Sequence, residues 1–289
     1  MSNFHTISMG NISLTASLNG GCITSLTFGK HHILKPSPTS SIAFPFAGQS
    51  AMFPMAPIVN RISNNQFEWQ GRRFDLPLNG TDPNFFLHGD AWLSQWHLIP
   101  ESCCQNQLAI TMQSSIPDVC CYKLIQTIRI EHEQIYFTLT LKNNGDTEFP
   151  FGIGFHPFFV VDNKTRIQFS AQGFWTEDEN HLPAAYSQYI PNEFNFSSAT
   201  VIPDHWINNG YYSGSGLDCT LTQERIKINI RSAEPYIQVY KPQGDAGFIC
   251  IEPQSQFVDA HSTNNKQSLT VLKPTQSMSV FMSIRISER

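Results

Sequence analysis

At 289 residues the chain is long enough to bury a substantial core, as one large domain or two. Hydrophobic residues make up 40% and aromatic residues 12%, but charged residues only 14%, so Asn, Gln, Ser and Thr must cover much of the surface. A net charge of −5 with no basic run argues against nucleic acid or an anionic membrane as the main partner, and no stretch is long enough to span a bilayer. Met1-Ser2-Asn3-Phe4-His5-Thr6 has neither a basic region nor an apolar run, so no secretory leader is expected. The seven cysteines include the adjacent pairs Cys103-Cys104 and Cys120-Cys121 but no C-x-x-C spacing. Neither a structural zinc site nor a redox motif is therefore expected, and a reduced, cytoplasmic protein is the simplest account.

Taken in order, the chain reads almost wholly as β-structure. Ile12 to Leu18 alternates with period two, Asn19-Gly20-Gly21 turns the chain, and Cys22 to Phe28 returns. Pro36 to Pro45 reads as loop. Phe53-Pro54-Met55-Ala56-Pro57-Ile58-Val59-Asn60-Arg61-Ile62 cannot form a regular helix because of its two prolines. Arg61 in that apolar run is either a strand end reaching water or a buried fork aimed at a ligand. Gln66 to Leu76 is a second hairpin bending at Gly71. His88, at the end of an apolar run and before Gly89, is either a surface turn residue or a side chain presented by a loop. Trp92 and Trp96 are candidates for the core or for stacking on a sugar.

Leu108 to Met112, Tyr122 to Ile130 and Ile135 to Leu141 predict strands, the last two forming an antiparallel ribbon. The segment Gly152-Ile153-Gly154-Phe155-His156-Pro157-Phe158-Phe159 follows directly. Its glycines and proline suggest a turn at the end of a buried strand, with His156 either a core histidine or a group able to move a proton near neutral pH. Residues 165 to 198 are irregular. Val201 to Gly210 puts Asp204 beside His205 ahead of a turn, where the acid is either a cap or a ligand contact. Strands are expected again at Leu217 to Thr222, Arg225 to Arg231, Tyr236 to Tyr240, Phe248 to Gln254, Ser268 to Val271 and Ser279 to Ile286. Glu252, after four nonpolar residues and before Pro253, is either at a wet strand end or held in a dry place, where burial raises its pKa toward that of a general base. With no sustained helical period, repeat or linker, the pattern predicts one large, mostly antiparallel β domain over residues 1 to 289, a sandwich rather than a small barrel.

These segments, in this order, carry a resemblance. Asn60-Arg61, the Gly71 hairpin, Asn79, His88-Gly89, Trp96, Gly154-Phe155-His156-Pro157-Phe158-Phe159, Asp204-His205 and Ile251-Glu252-Pro253-Gln254 resemble the motifs of the aldose 1-epimerases, or galactose mutarotases, from about residue 10 to the C-terminus. The resemblance implies a two-layer β-sandwich with an open sugar cleft and interconversion of the α and β anomers of a free hexose. By motif it assigns Glu252 as general base and His156 as general acid, with Arg61, His88 and Asp204 holding the sugar. It implies no cofactor and no metal, a small sugar as the partner, and a monomer or homodimer. Phe158 stands where the family often has tyrosine, so a hydroxyl is missing there. The surroundings of Asp204 match loosely, and Asp218 is a fallback for its role. Two other readings compete. A hexose-6-phosphate 1-epimerase needs extra cations for the phosphate, for which Arg72 and Arg73 are visible candidates. A non-catalytic sugar-binding sandwich has no need of both His156 and Glu252.

Overall fold

A computed structural model of the chain describes residues 3–38, 49–263 and 268–289. Two antiparallel sheets account for most of it, and no α-helix occurs among the described residues. None of their helical segments is long and apolar enough to cross a membrane. The larger sheet has 11 strands. Its main path runs Phe4–Met9, Ile12–Ser17, Ile23–Phe28, Met52–Met55, Gly154–Val160, Phe248–Gln254, Tyr236–Lys241, Ile207–Tyr212, Gly173–Glu177 and Pro183–Ser187. The second sheet has nine strands and is centred on the long ribbon Gln107–Ile116, Cys120–Glu131, Gln134–Asn143 and Ser277–Glu288.

Period-two alternation decides what each face of the larger sheet buries. Phe155, Phe159, Ile237, Val239, Ile249 and Ile251 turn inward and join one apolar cluster with Leu124, Ile128, Phe137 and Ile284 of the second sheet. Phe137 and Phe155 meet across the layers with ring centroids 6.0 Å apart. The buried Gln126 Nε2 donates to the Gly21 carbonyl at 2.8 Å, while its Oε1 has no hydrogen-bond partner in the protein. The intervening residues His156, Phe158, Gln238, Tyr240, Cys250 and Glu252 therefore face the other way, and a smaller apolar cluster of Phe53, Phe158, Cys250 and Trp92 lines that side.

The expected hairpins are present. In the second, Gln66–Trp69 pairs with Arg72–Asp75 through Gln70 and Gly71, both at positive φ, 52° and 75°. Trp92 and Trp96 are both core, 1% and 0% exposed. Gly21 lies against the Trp96 indole, where a Cβ would come within 2.5 Å of the ring. Seven cysteines are free. Of the Pro36 to Pro45 loop, residues 39 to 45 lie outside the described residues.

Two expectations are corrected. Gly154-Phe155-His156-Pro157-Phe158-Phe159 is not a turn but a central strand, paired with Met52–Met55 on one side and Phe248–Gln254 on the other. Gly154 serves close strand packing, since a Cβ there would lie 2.8 Å from the Pro253 carbonyl oxygen. Asn208-Asn209-Gly210 is likewise strand rather than turn. A Cβ on Gly210 would meet Gln238 Oε1 and the Trp175 ring at 3.3 Å, so this glycine also marks a close approach.

Candidate active site

The outward face of the larger sheet carries a 260 Å³ cavity lined by residues that include Arg61, His88, His156, Trp206, Asn208 and Glu252. That is a little below the usual span of about 300–1,000 Å³ for drug-sized ligands, so it suits one small molecule. Strand register builds its floor. Phe158 pairs with Cys250 and Gly154 with Gln254, leaving His156 and Glu252 side by side between these pairs. His156 Nε2 lies 3.2 Å from Glu252 Oε1. The second Glu252 oxygen accepts from Gln254 Nε2 at 3.1 Å. His156 is held flat between the rings of Phe53 and Phe158, with centroids 4.5 and 4.7 Å away and interplanar angles of 24°. The Phe158 ring thus clamps the imidazole in a position where no hydroxyl is needed for packing.

His88 meets His156 edge to face at 5.0 Å. It is presented by a strained loop in which His88 and Gly89 both have positive φ, 59° and 74°. Three hydrogen bonds fix that loop. His88 N donates to the Asn60 carbonyl at 2.9 Å, and Asn79 Nδ2 donates to the carbonyls of Leu87 and Gly89 at 2.8 Å each. Asn79 is thus a clamp on the histidine loop. Arg61 reaches the cavity from the Phe53 to Ile62 segment. Its Nη1 donates to Asn60 Oδ1 at 3.2 Å, and Nη2 lies 3.8 Å from Asp82 Oδ2. Arg61 Nε is buried without a hydrogen-bond partner in the protein, which leaves a donor for a ligand.

Burial dominates the electrostatics. It raises the Glu252 carboxyl well above the ordinary range, against the lowering effects of the Gln254 hydrogen bond and the Arg61 charge. It lowers His156 to about 3, with a backbone hydrogen bond opposing and Arg61 assisting. His88 is lowered well below the usual value by burial, then by His156 and Arg61. Each member of the His156–Glu252 pair is therefore pushed toward its neutral form, and together they hold one proton over a wide pH range. Arg61 is also lowered by burial, opposed chiefly by Asp82, and remains a cation at neutral pH. Cys250 Sγ joins His156 and Glu252 in a group whose ligand atoms lie within 4.8 Å of one another, the place where a metal ion could lodge. Burial and the neighbouring Glu252 push that thiol well up, and a protonated thiol is a poor ligand.

Glu252, His156, His88 and Arg61 come together. Asp204 does not join them. It is exposed outside the cavity lining, and its backbone carbonyl accepts from Gly244 N at 2.7 Å. Asp218 is farther removed, on the second sheet in an ion pair with Arg231 at 3.0 Å. Because residues 207 to 212 form a strand rather than a turn, the side chains that reach the cavity from this segment are Trp206 and Asn208. Tyr240 and Phe248 also line it unforeseen, although the alternation of Tyr236 to Lys241 puts Tyr240 on the same face as Gln238. Arg72 and Arg73 are engaged elsewhere, with the Asp118 carbonyl and with Asp75.

Comparison with known proteins shows the family and the fold. Residues 4–285 match the family described as aldose 1-epimerase. The chain belongs to the aldose 1-epimerase family. It is 31% identical over 291 residues to the uncharacterized protein YphB of Escherichia coli (strain K12), covering 98% of both chains. A solved structure of an aldose 1-epimerase candidate from Escherichia coli K12 superposes with a TM-score of 0.92 at 29% identity, covering 99% of each chain. A galactose mutarotase-like protein from Clostridium acetobutylicum superposes with a TM-score of 0.85 at 16% identity, over 98% of this chain and 95% of the other. The latter establishes a shared galactose mutarotase-like fold.

Proposed function

We propose that this epimerase-family protein is a mutarotase, interconverting the α and β anomers of a free aldohexose, with Glu252 as general base and His156 as general acid. The observation that carries this reading is the 3.2 Å approach of His156 Nε2 to Glu252 Oε1 at the floor of a cavity suited to one small molecule. Mutarotation moves one proton off the anomeric hydroxyl and puts one on the ring oxygen. When the shared proton passes from Glu252 to His156 across their 3.2 Å contact, the Glu252 carboxylate is free to take the O1 proton. The C1–O5 bond breaks, its electron pair goes to O5, and O5 takes the proton from Nε2. The open-chain aldehyde rotates about C1–C2 and the same steps run backward on the other face. The chemistry requires only these two proton transfers.

Arg61 and His88 serve as ligands for the sugar hydroxyls. The unpaired Arg61 Nε and the buried, unpartnered His88 Nδ1 support that assignment. A phosphorylated hexose is the second reading. Lys35 favours it, with its ammonium 4.7 Å from the centre of the Phe248 ring and 6.0 Å from that of Phe158, both at the cavity. Against it, Arg61 already faces Asp82.

Anomer exchange by magnetisation-transfer NMR tests both readings on glucose, galactose and glucose 6-phosphate. Catalysed exchange of a free hexose, reduced by on the order of 10²-fold or more in His156→Asn, is expected. Exchange confined to the phosphorylated sugar supports the second reading, and wild-type exchange in the variant would refute the acid–base assignment.

A further inference from the structure

The wall facing the acid–base pair is organised around a carboxylate that does not itself line the cavity. Glu177, 15% exposed, accepts hydrogen bonds from three side chains that do: Trp206 Nε1 at 2.7 Å, Asn208 Nδ2, and His181 Nδ1. A carboxylate has acceptor sites for all three. The arrangement also fixes the Asn208 amide, because its Oδ1 accepts from Gln238 Nε2 at 2.7 Å while its Nδ2 points at Glu177. Gln238 in turn pairs across the strands with Glu252, so the two sides of the cavity share one sheet face.

Trp206 is the part of this wall that stands out. It is 37% exposed and lies at the cavity rim. Its single polar atom is already committed to Glu177, so its ring faces are free of any hydrogen-bonding duty. Tyr240 steadies it edge to face at 5.3 Å, and His181 lies 5.4 Å away at an interplanar angle of 35°. An amphipathic ring fixed in place loses little entropy when a ligand packs against it, and its flat apolar surface matches the C–H face of a pyranose.

We infer that Trp206 is the stacking platform for the sugar and that Glu177 is the positioning residue that holds Trp206, Asn208 and His181 in register for it. The inference rests on the reading of the cavity as a sugar site. It places substrate recognition for this segment on Trp206 and Asn208 instead of on Asp204. In Glu177→Gln one acceptor oxygen is replaced by an NH2 group, a donor set against the donors of this wall, which each carboxylate oxygen now accepts from. The wall then loses its fixed geometry while the His156–Glu252 pair is untouched.

The test compares Trp206→Ala, Trp206→Phe and Glu177→Gln with wild type for kcat and KM on the preferred free hexose. Sugar-dependent tryptophan fluorescence gives a binding readout that needs no turnover. A Trp206→Ala rise in KM of about tenfold is expected, the size of one aromatic contact, with kcat within about threefold. The sugar-dependent fluorescence change should vanish in Trp206→Phe. In 15N-labelled protein, the indole N–H resonance that disappears in Trp206→Phe should shift in Glu177→Gln, whose KM should also rise. A KM within twofold of wild type in Trp206→Ala, or a fluorescence response that persists in Trp206→Phe, would overturn the inference. Saturable sugar quenching lost in Trp206→Phe, without anomer exchange by wild type, would sink the epimerase reading and keep the platform. Normal turnover with an unmoved KM would do the reverse.

Discussion

Gly89→Ala should disable the site without touching any group that is proposed to react. A Cβ built on Gly89 lies 2.0 Å from the Ala56 carbonyl oxygen, 2.4 Å from its carbon and 2.8 Å from Pro57 N, where ordinary contact starts near 3.4 Å. All three atoms are backbone, so no side chain can swing aside, and the loop must move by at least about 1 Å. The Ala56 oxygen also accepts from Asp90 N at 3.1 Å and Ala91 N at 3.2 Å, so the shift propagates along the loop that presents His88. A misplacement of about 1 Å in a catalytic constellation can cost on the order of 10²-fold in rate. Gly71→Ala is the matched control. Gly71 has nearly the same φ, +75° against +74°, and open space where its Cβ would go. It should show only the strain of a left-handed alanine, about 1 kcal/mol, which is about 2 °C in Tm for a chain of this size, with kcat/KM unchanged. Steady-state kinetics and thermal unfolding of the two variants decide the matter. Wild-type kcat/KM in Gly89→Ala, or equal damage in Gly71→Ala, would refute the reasoning.

Two further predictions concern protons. Because burial raises Glu252 in the folded state, the fold holds a proton that the unfolded chain gives up, and stability falls as pH rises from the unfolded carboxylate range through the folded pKa. Glu252→Gln should therefore unfold at higher temperature than wild type at pH 8, by about 2 °C per kcal/mol gained, with the gap closing toward pH 4.5; a gap that does not depend on pH would contradict this. If the pair works with one proton, kcat/KM should persist well below the ordinary histidine range, because His156 is depressed to about 3, and should fall on the alkaline side as the Glu252–His156 pair loses its proton. An acid limb near pH 6.5 would mean that an ordinary imidazole controls the rate.

Much of this architecture is legible in the sequence, because antiparallel strands with one buried face announce themselves by alternation. The ribbon of Cys120–Glu131 and Gln134–Asn143 and the Gly71 hairpin are of this kind. Glycine was the misleading signal. Gly154 and Gly210 read as turn residues locally, but each sits inside a strand because a neighbour occupies the space of its missing Cβ, a fact set by residues about 100 and 28 positions away. The same cause governs the site. His156 and Glu252 stand out as isolated polar residues in apolar runs, and strand pairing brings them together. Once the 207–212 segment becomes strand, Asp204 falls outside the cavity lining and Asn208 moves in. Glu177 gave no local signal at all. Its importance lies in three donors, one from position 181 four residues on and two from 206 and 208, which only the fold brings to it.

The most direct test follows the optical rotation of freshly dissolved α-D-glucose and α-D-galactose with wild-type protein and with Glu252→Gln. The account predicts that wild type brings at least one of these sugars to its equilibrium rotation faster than buffer alone, and that the variant, whose amide cannot take the anomeric proton, loses that acceleration by on the order of 10²-fold or more. Equal acceleration by Glu252→Gln, or none by wild type with either sugar, would contradict it.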